Sequence, residues 1–255
     1  MLLSVAQSAP ERRAIRHTRI FRIAGLTAVL LIAAAAVVYL VTRPSERRNV
    51  LRANGGAAVV VMDFAKPFPL DPPPAGWWHR KFWTRKAAAL SFAVKDGVPA
   101  LRFATKASAS MLFRRIDIDL VAYPVLEWRW FVETPIVSDI DERKRAGDDH
   151  PARLFVTFLT TGGDRRSMEI IWGNTRLRAG QYKYIGGFPH YVANGGQANV
   201  GRWHRERIDL LKIYRTIWKD DGAVRVIDIA LFCDSDETKT ESVAYFADVR
   251  LKRRR

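Results

Sequence analysis

Residues 23–42 read IAGLTAVLLIAAAAVVYLVT, twenty consecutive positions without a charge. As a helix rising about 1.5 Å per residue, such a stretch reaches roughly 30 Å, the thickness of a bilayer's hydrocarbon core. Everything after it must be placed relative to a membrane. Two readings compete: an uncleaved signal anchor, and a cleavable secretory signal whose small-residue run at 33–36 offers a cleavage site. A cleavable signal usually carries an apolar region of about 7 to 15 residues, and the greater length here favours the anchor. A core helix of a soluble domain would show a polar face, and this stretch has none.

Orientation follows from the flanks. Arg12, Arg13, Arg16, Arg19 and Arg22 precede the stretch, and Arg43, Arg47, Arg48 and Arg52 follow it. The bias is narrow, but a long folded domain can translocate with basic residues of its own. The expectation is a basic cytoplasmic lead (1–22), a single-pass anchor in an inner or plasma membrane (23–42), a linker (43–56), and a domain (57–251) on the periplasmic or extracellular side, with a short basic tail (252–255).

Charge supports this division. The net charge is +16, of which residues 1–52 contribute +7 and the last six residues five more positive charges, leaving the folded middle at +4. Basic tails suit anionic lipid head groups. A nucleic-acid-binding domain would carry its charge on a folded module, and no such module is present, so the bilayer and an envelope glycan or envelope protein are the expected partners. Cys233 is the only cysteine, which excludes an intramolecular disulfide and a paired-cysteine metal site. Its apolar neighbours mark it as a small buried side chain.

Beyond residue 56 the period-two alternation dominates. Residues 57–64, 87–94, 98–104, 110–120, 124–133, 152–160, 167–172, 181–192, 224–233 and 243–251 all read as strands. In 110–120, Leu112, Ile116, Ile118 and Leu120 share one face, opposite Arg115, Asp117 and Asp119. In 124–133, Leu126, Trp128, Trp130 and Val132 oppose Glu127, Arg129 and Glu133. Asp96-Gly97 marks a hairpin turn, and Gly186-Gly187 a bulge or turn. Residues 66–76 hold five of the twelve prolines, so they form a loop; it delivers Trp77, Trp78, Phe82 and Trp83. One helix is expected, capped by Asp209, carrying Leu210, Leu211, Tyr214, Ile217 and Trp218, and ended by Gly222. Many short strands with one helix and no alternating βαβ units predict an all-β antiparallel two-sheet sandwich of jelly-roll type.

The densest polar group is Asp148, Asp149, His150 and Arg153. Adjacent carboxylates beside His and Arg could act as base, acid and anion-orienting group; the bland alternative, which weighs more, is a strand-entry turn with Arg153 paired to a carboxylate. Asp234, Asp236 and Glu237 offer hard oxygen ligands but match no complete calcium-loop motif, and read as a solvated acidic turn. The scattered histidines argue against zinc. No phosphate-cradling, nucleophile-elbow or dinucleotide motif occurs. Residues 185–196 bring Phe188, His190, Tyr191 and Asn194 together, a mixture suited to sugar rings, although core packing accounts for most of these aromatics.

Several spaced motifs resemble one family. Trp128-Arg129-Trp130, the segment from Asp148-Asp149 to Arg153, Ile171-Trp172-Gly173, Asp234-Ser235-Asp236 and Tyr245-Phe246-Ala247-Asp248-Val249 resemble the bacterial domain-of-unknown-function family numbered three thousand and forty-seven. The resemblance implies a secreted or envelope location and a sandwich fold, with no assigned reaction. Asp248 is also similar in position to an acidic residue on the last strand of galactose-binding-like jelly rolls, which implies a structural calcium shared with Asp63; no other cofactor is expected.

The leading expectation is a membrane-anchored, non-enzymatic β-sandwich binding an envelope glycan, with Trp77, Trp78, His190 and Tyr191 as contacts. The alternatives are a polysaccharide-acting enzyme with Asp148 or Asp149 as base, His150 as acid and Arg153 orienting, and a structural partner in a membrane complex.

Overall fold

The computed structural model describes residues 49–254. The segment read as a membrane anchor lies outside the described residues; among those described, no helix is long and apolar enough to cross a membrane.

Two β-sheets face each other. The larger contains β1 (Leu51–Arg52), β3 (Trp77–Lys81), β6 (Ala109–Asp119), β8 (Arg153–Thr160), β9 (Arg165–Gly173), β10 (Tyr182–Ile185), β11 (Phe188–Gly195) and β13 (Val224–Asp234), in the order β1-β6-β13-β8-β9-β11-β10. Strands β1 and β3 share one edge of β6, pairing with its far and near ends. The smaller contains β2 (Ala58–Met62), β4 (Ala89–Lys95), β5 (Val98–Lys106), β7 (Val125–Thr134), β12 (Trp203–Asp209) and β14 (Glu241–Lys252), in the order β12-β7-β14-β5-β4, with β2 beside the end of β14. The alternation in β6 and β7 places its apolar partners between the sheets, as expected for half-buried strands. Trp128 and Trp130 meet edge-to-face at 5.1 Å, and Trp130 meets Trp172 of the opposite sheet at 5.7 Å. Buried aromatic pairs of this kind join the two layers. Cys233 lies in the same core, where burial pushes its thiol pKa well above the ordinary range.

The two-sheet sandwich with one short helix is the expected class, with several differences, among them two strands, β1 and β12, outside every expected strand. The pairs β1–β6 and β9–β11 run parallel, so the larger sheet is mixed. Trp77 and Trp78 stand on a strand, β3, because the chain leaving the proline loop finds an unpaired edge of β6. The expected strand at 181–192 is a hairpin, β10 and β11, turning at Gly186-Gly187, where both residues have positive φ. The helix α1 (Leu210–Trp218) starts at Asp209, whose side chain accepts the Lys212 N–H, but ends at Lys219 rather than Gly222. Lys219 takes the left-handed conformation, φ 53°, and its N–H returns to the Arg215 carbonyl, closing the last turn. The helix's apolar stripe joins the inter-sheet core, with Phe158 against Tyr214 and Trp218.

Candidate functional site

Side chains on a strand alternate between faces, so half of the larger sheet's residues point away from the core. Cross-strand register then fixes which of them stand side by side. One row runs across seven strands: Lys183 on β10, His190 on β11, Glu169 on β9, Phe155 on β8, Ala230 on β13, Phe113 on β6 and Trp78 on β3. The adjoining row holds Arg153, Phe232, Met111 and Arg80. The face is therefore charged at one end and aromatic at the other.

The aromatic end is packed in layers. Trp78 stacks on Phe113 at 5.1 Å, Phe113 meets Phe155 edge-on at 5.9 Å, and Phe155 stacks on Phe188 at 5.6 Å. After β3 the chain turns back over this face, and Phe82 lands 6.2 Å from Phe232. The next residue, Trp83, packs against nothing and is fully exposed. Between this turn and the sheet lies a cleft of about 400 Å³. Its apolar lining includes Phe82, Trp83, Phe155 and Phe232, and its polar lining includes Asp148, Arg153, Glu169, Asp234 and Glu237.

The charged end is buried and densely networked, with Arg153 Nε left without a hydrogen-bond partner. The Arg153 guanidinium donates to Glu169 Oε2 at 2.5 Å and to both oxygens of Asp234 at 2.5 Å, and lies 4.7 Å over the Phe232 ring. Burial opposes its charge, but Asp234 and Glu169 outweigh burial and push its pKa well up. Burial also opposes ionisation of Glu169, yet Arg153 and His190 bring its carboxyl down to about 2. His190 Nε2 stands 3.3 Å from the same Glu169 oxygen. Lys183 donates to Asp148 at 2.5 Å, to the Glu142 carbonyl at 2.7 Å and to His150 Nε2 at 2.7 Å. Glu142 itself is buried, its carboxylate accepting four successive backbone N–H groups, those of Asn174 through Leu177.

Of the four residues proposed from sequence for catalysis, Asp148 and Arg153 line the cleft, and Asp149 and His150 do not. His150 is completely buried, with Nδ1 2.7 Å from the Trp172 carbonyl and Nε2 facing Lys183. This arrangement makes Nδ1–H the donor and Nε2 the acceptor of a neutral ring. Burial first, then Lys183 and Arg153, hold its pKa well below the ordinary value. A neutral, fully engaged imidazole cannot serve as the acid of the enzymatic reading. Asp149 accepts from the Thr238 N–H at 2.6 Å, the Thr238 hydroxyl at 2.5 Å and the Glu237 N–H at 3.3 Å. It fixes the turn after β13 from behind the cleft.

The four expected glycan contacts divide by strand parity. Trp78 and His190 stand on the outer face, His190 inside the charged network. Trp77 and Tyr191 are their odd-numbered neighbours and pack on the inter-sheet core, Trp77 against Phe68 at 4.7 Å and Tyr191 against Tyr182 at 5.2 Å. None of the four lines the cleft, Trp78 and His190 included. The expected calcium pair is separately committed: Asp248 pairs with Arg129 and with Arg250 at 3.4 Å, and Asp63 accepts the Ala65 N–H at 2.9 Å. A cation there would compete with the Arg129 guanidinium, so this pair does not fit one. The acidic turn is not solvated as expected: Asp234 and Asp236 are buried, drawn in by Arg153 and Arg85. Sequence reasoning missed Glu169, Lys183 and Glu142. The signal for the first two was a lone charge inside a strand whose neighbours are apolar, in SMEIIW and YKYI.

Fold and cleft together define a two-sheet β-sandwich with an aromatic-and-charged groove across the outer face of its larger sheet. A family model described as "Protein of unknown function (DUF3047)" matches residues 75–250, and the chain belongs to this family. No curated protein matches it. Among solved structures, the chain is similar to the family 30 carbohydrate-binding module of a cellulosomal cellulase from Clostridium thermocellum, with 13% identity over 77% of this chain and 97% of that one, TM-score 0.43. It is also similar to the xyloglucanase domain of NopAA from Sinorhizobium fredii, with 8% identity over 70% and 94%, TM-score 0.40. A third is a non-crystalline-cellulose-specific module, CBM28, with 13% identity over 80% and 98%, TM-score 0.36. Likeness at this level assigns nothing to any residue of this chain.

Proposed function

We propose that this protein is a glycan-binding β-sandwich held to a membrane by residues 23–42, with its sandwich on the periplasmic or extracellular side and a saccharide seated in the cleft beneath Trp83. The observation that carries the reading is the pairing of a fully exposed Trp83 with a cleft of about 400 Å³ that has aromatic rings at one end and fixed charged groups at the other. A sugar ring offers C–H groups that pack on an aromatic plane and hydroxyls that need orienting partners. Trp83 and Phe82 supply the first; Asp148, Glu169 and Arg80 supply the second. The anchor rests on the uncharged stretch and its basic flanks.

The test is a polysaccharide and glycan-array screen with the full-length chain, followed by calorimetry on the best ligand. Binding that weakens about tenfold in Trp83→Ala, with the unfolding midpoint unchanged, is the expected result. Absence of saccharide binding at millimolar concentration, or full affinity in Trp83→Ala, would overturn it. Product analysis of the same incubations separates binding from turnover, and reporter fusions at each terminus check the orientation.

A further inference from the structure

The turn after β13 gathers more negative charge than its surroundings neutralise. Asp149, Asp234, Asp236 and Glu237 each bring an oxygen within 4.8 Å of the others. Asp149, Asp234 and Asp236 are buried and Glu237 is half-buried. Arg153 answers Asp234 but also serves Glu169, and Arg85 reaches Asp236 Oδ2 at 2.6 Å and Glu237 Oε1 at 2.8 Å. Across the wider network, six carboxylates (Asp148, Asp149, Glu169, Asp234, Asp236, Glu237) face three cations (Arg85, Arg153, Lys183).

A second observation is independent of the charge count. Asp236 is only 7% exposed, and its Oδ1 is buried with no hydrogen-bond donor, as is Glu237 Oε2. Native structures leave few buried acceptors unsatisfied, and each one costs the desolvation of that group. Glu237 also meets Asp149, and burial together with that contact pushes its carboxyl up to about 7, so a proton or a cation stands between these two groups; Asp236 Oδ1 is left as a buried acceptor that a cation would serve.

We propose that Asp149, Asp234, Asp236 and Glu237 hold one divalent cation, calcium by its chemistry. The donors are all hard oxygens, and their spread around a flexible turn suits the variable coordination of calcium better than the strict octahedron of magnesium. Thr238 holds Asp149 through its N–H and hydroxyl, which orients that ligand from behind. Asp234 and Glu237 also line the cleft, so a cation here fixes one wall of it. The site is separate from the Asp63 and Asp248 pair.

The experiment takes the full-length chain, strips it with a chelator, and titrates calcium chloride alone by calorimetry, with magnesium chloride as a second arm and matched sodium chloride as the ionic-strength control. One calcium per chain and an unfolding midpoint raised by several degrees in millimolar calcium are expected, because a ligand of the folded state stabilises it. Asp236→Asn should weaken calcium at least tenfold while unfolding in chelator no earlier than the parent, since it removes one of two carboxylates that share the single Arg85 cation. Glu237→Gln should do the same, and Asp248→Asn should bind as the parent does. No heat and no midpoint shift at millimolar calcium would overturn the proposal. So would unchanged affinity in both Asp236→Asn and Glu237→Gln, loss of binding in Asp248→Asn, or magnesium binding as tightly as calcium.

Discussion

The two outer faces of the sandwich carry charges in opposite ways. On the smaller sheet the charges stand at the rim in pairs: Arg207 with Glu127, Lys252 with Glu127 at 3.2 Å, Lys95 with Glu133 at 2.8 Å, each with at least one partly exposed member. Beneath them lies a plain apolar patch of Phe131, Tyr245, Ala100 and Ala247. On the larger sheet Arg153, Glu169 and Asp234 are almost wholly buried and share each other as partners, and the equally buried Lys183 pairs with Asp148. Exposed pairs contribute about 0–1 kcal/mol, whereas a buried pair carries a desolvation cost that can exceed its attraction. A chain seeking stability alone would fill the larger sheet's face with apolar side chains. The retained charges sit beside the cleft, which is where a ligand needs preset polar groups.

The largest expected effect comes from cutting each arrangement at its arginine. Arg153→Met strands Glu169 and Asp234 as buried, uncompensated charges and should cost about 3–5 kcal/mol. Arg207→Met removes a half-exposed arginine from Glu127, which keeps Lys252, and should cost less than about 1 kcal/mol. Urea unfolding of both variants reads the difference directly; equal losses would mean that the two faces do not differ in the way described. Lys183→Met is intermediate. It leaves His150 Nε2 and Asp148 without their donor, an expected loss of about 1–3 kcal/mol for unsatisfied buried groups, smaller than for Arg153 because Asp148 is partly solvated and His150 is neutral.

How much of this contrast could be read beforehand depended on range. Alternation revealed β6 and β7 because each strand states its own inner face, and Asp209 marked the start of α1. The strand β3 was hidden behind the proline loop, and its His79, Arg80 and Lys81 lack an alternating apolar set. Strand β12 was hidden for the same reason: its Trp203-His-Arg-Glu-Arg-Ile-Asp run occupies a sheet edge, where burial imposes little pattern. The density of charge at Asp148 to Arg153 was visible, but the partners that give it meaning lie 16, 35 and 81 residues away. Only the register of five strands brings them to one place. The same parity separates Trp78 from Trp77 and His190 from Tyr191, which composition cannot do.

Two tryptophans sharpen the comparison on the binding side. Trp83 touches nothing, so Trp83→Ala should leave stability within about 0.5 kcal/mol while costing affinity for a saccharide. Trp203, on the smaller sheet, meets Phe131 edge-on at 5.8 Å and donates its Nε1–H to the Lys95 carbonyl at 3.0 Å. Trp203→Ala should cost about 2–3 kcal/mol by truncating a half-buried aromatic and leave saccharide affinity alone. Paired denaturation and calorimetry on the two variants separate a ring kept for packing from a ring kept for contact. The reading fails if Trp203→Ala is the variant that loses ligand.

The smallest effect is expected at Asp248, where the smaller sheet comes nearest to having a site of its own. Asp248 sits at φ 53° in the irregular stretch of β14 between Ala247 and Arg250, and its carboxylate meets Arg129 and Arg250. Asp248→Gly removes both ion pairs, a loss of about 1 kcal/mol at most for partly exposed groups. It also frees a left-handed backbone position in the folded state, offset by the greater freedom glycine gives the unfolded chain. These contributions nearly cancel, so urea unfolding should place the variant within about 0.5 kcal/mol of the parent, with and without calcium. A loss of several kcal/mol that calcium modulates would instead give the smaller sheet a metal-dependent role, and the division between a plain face and a functional one would have to be redrawn.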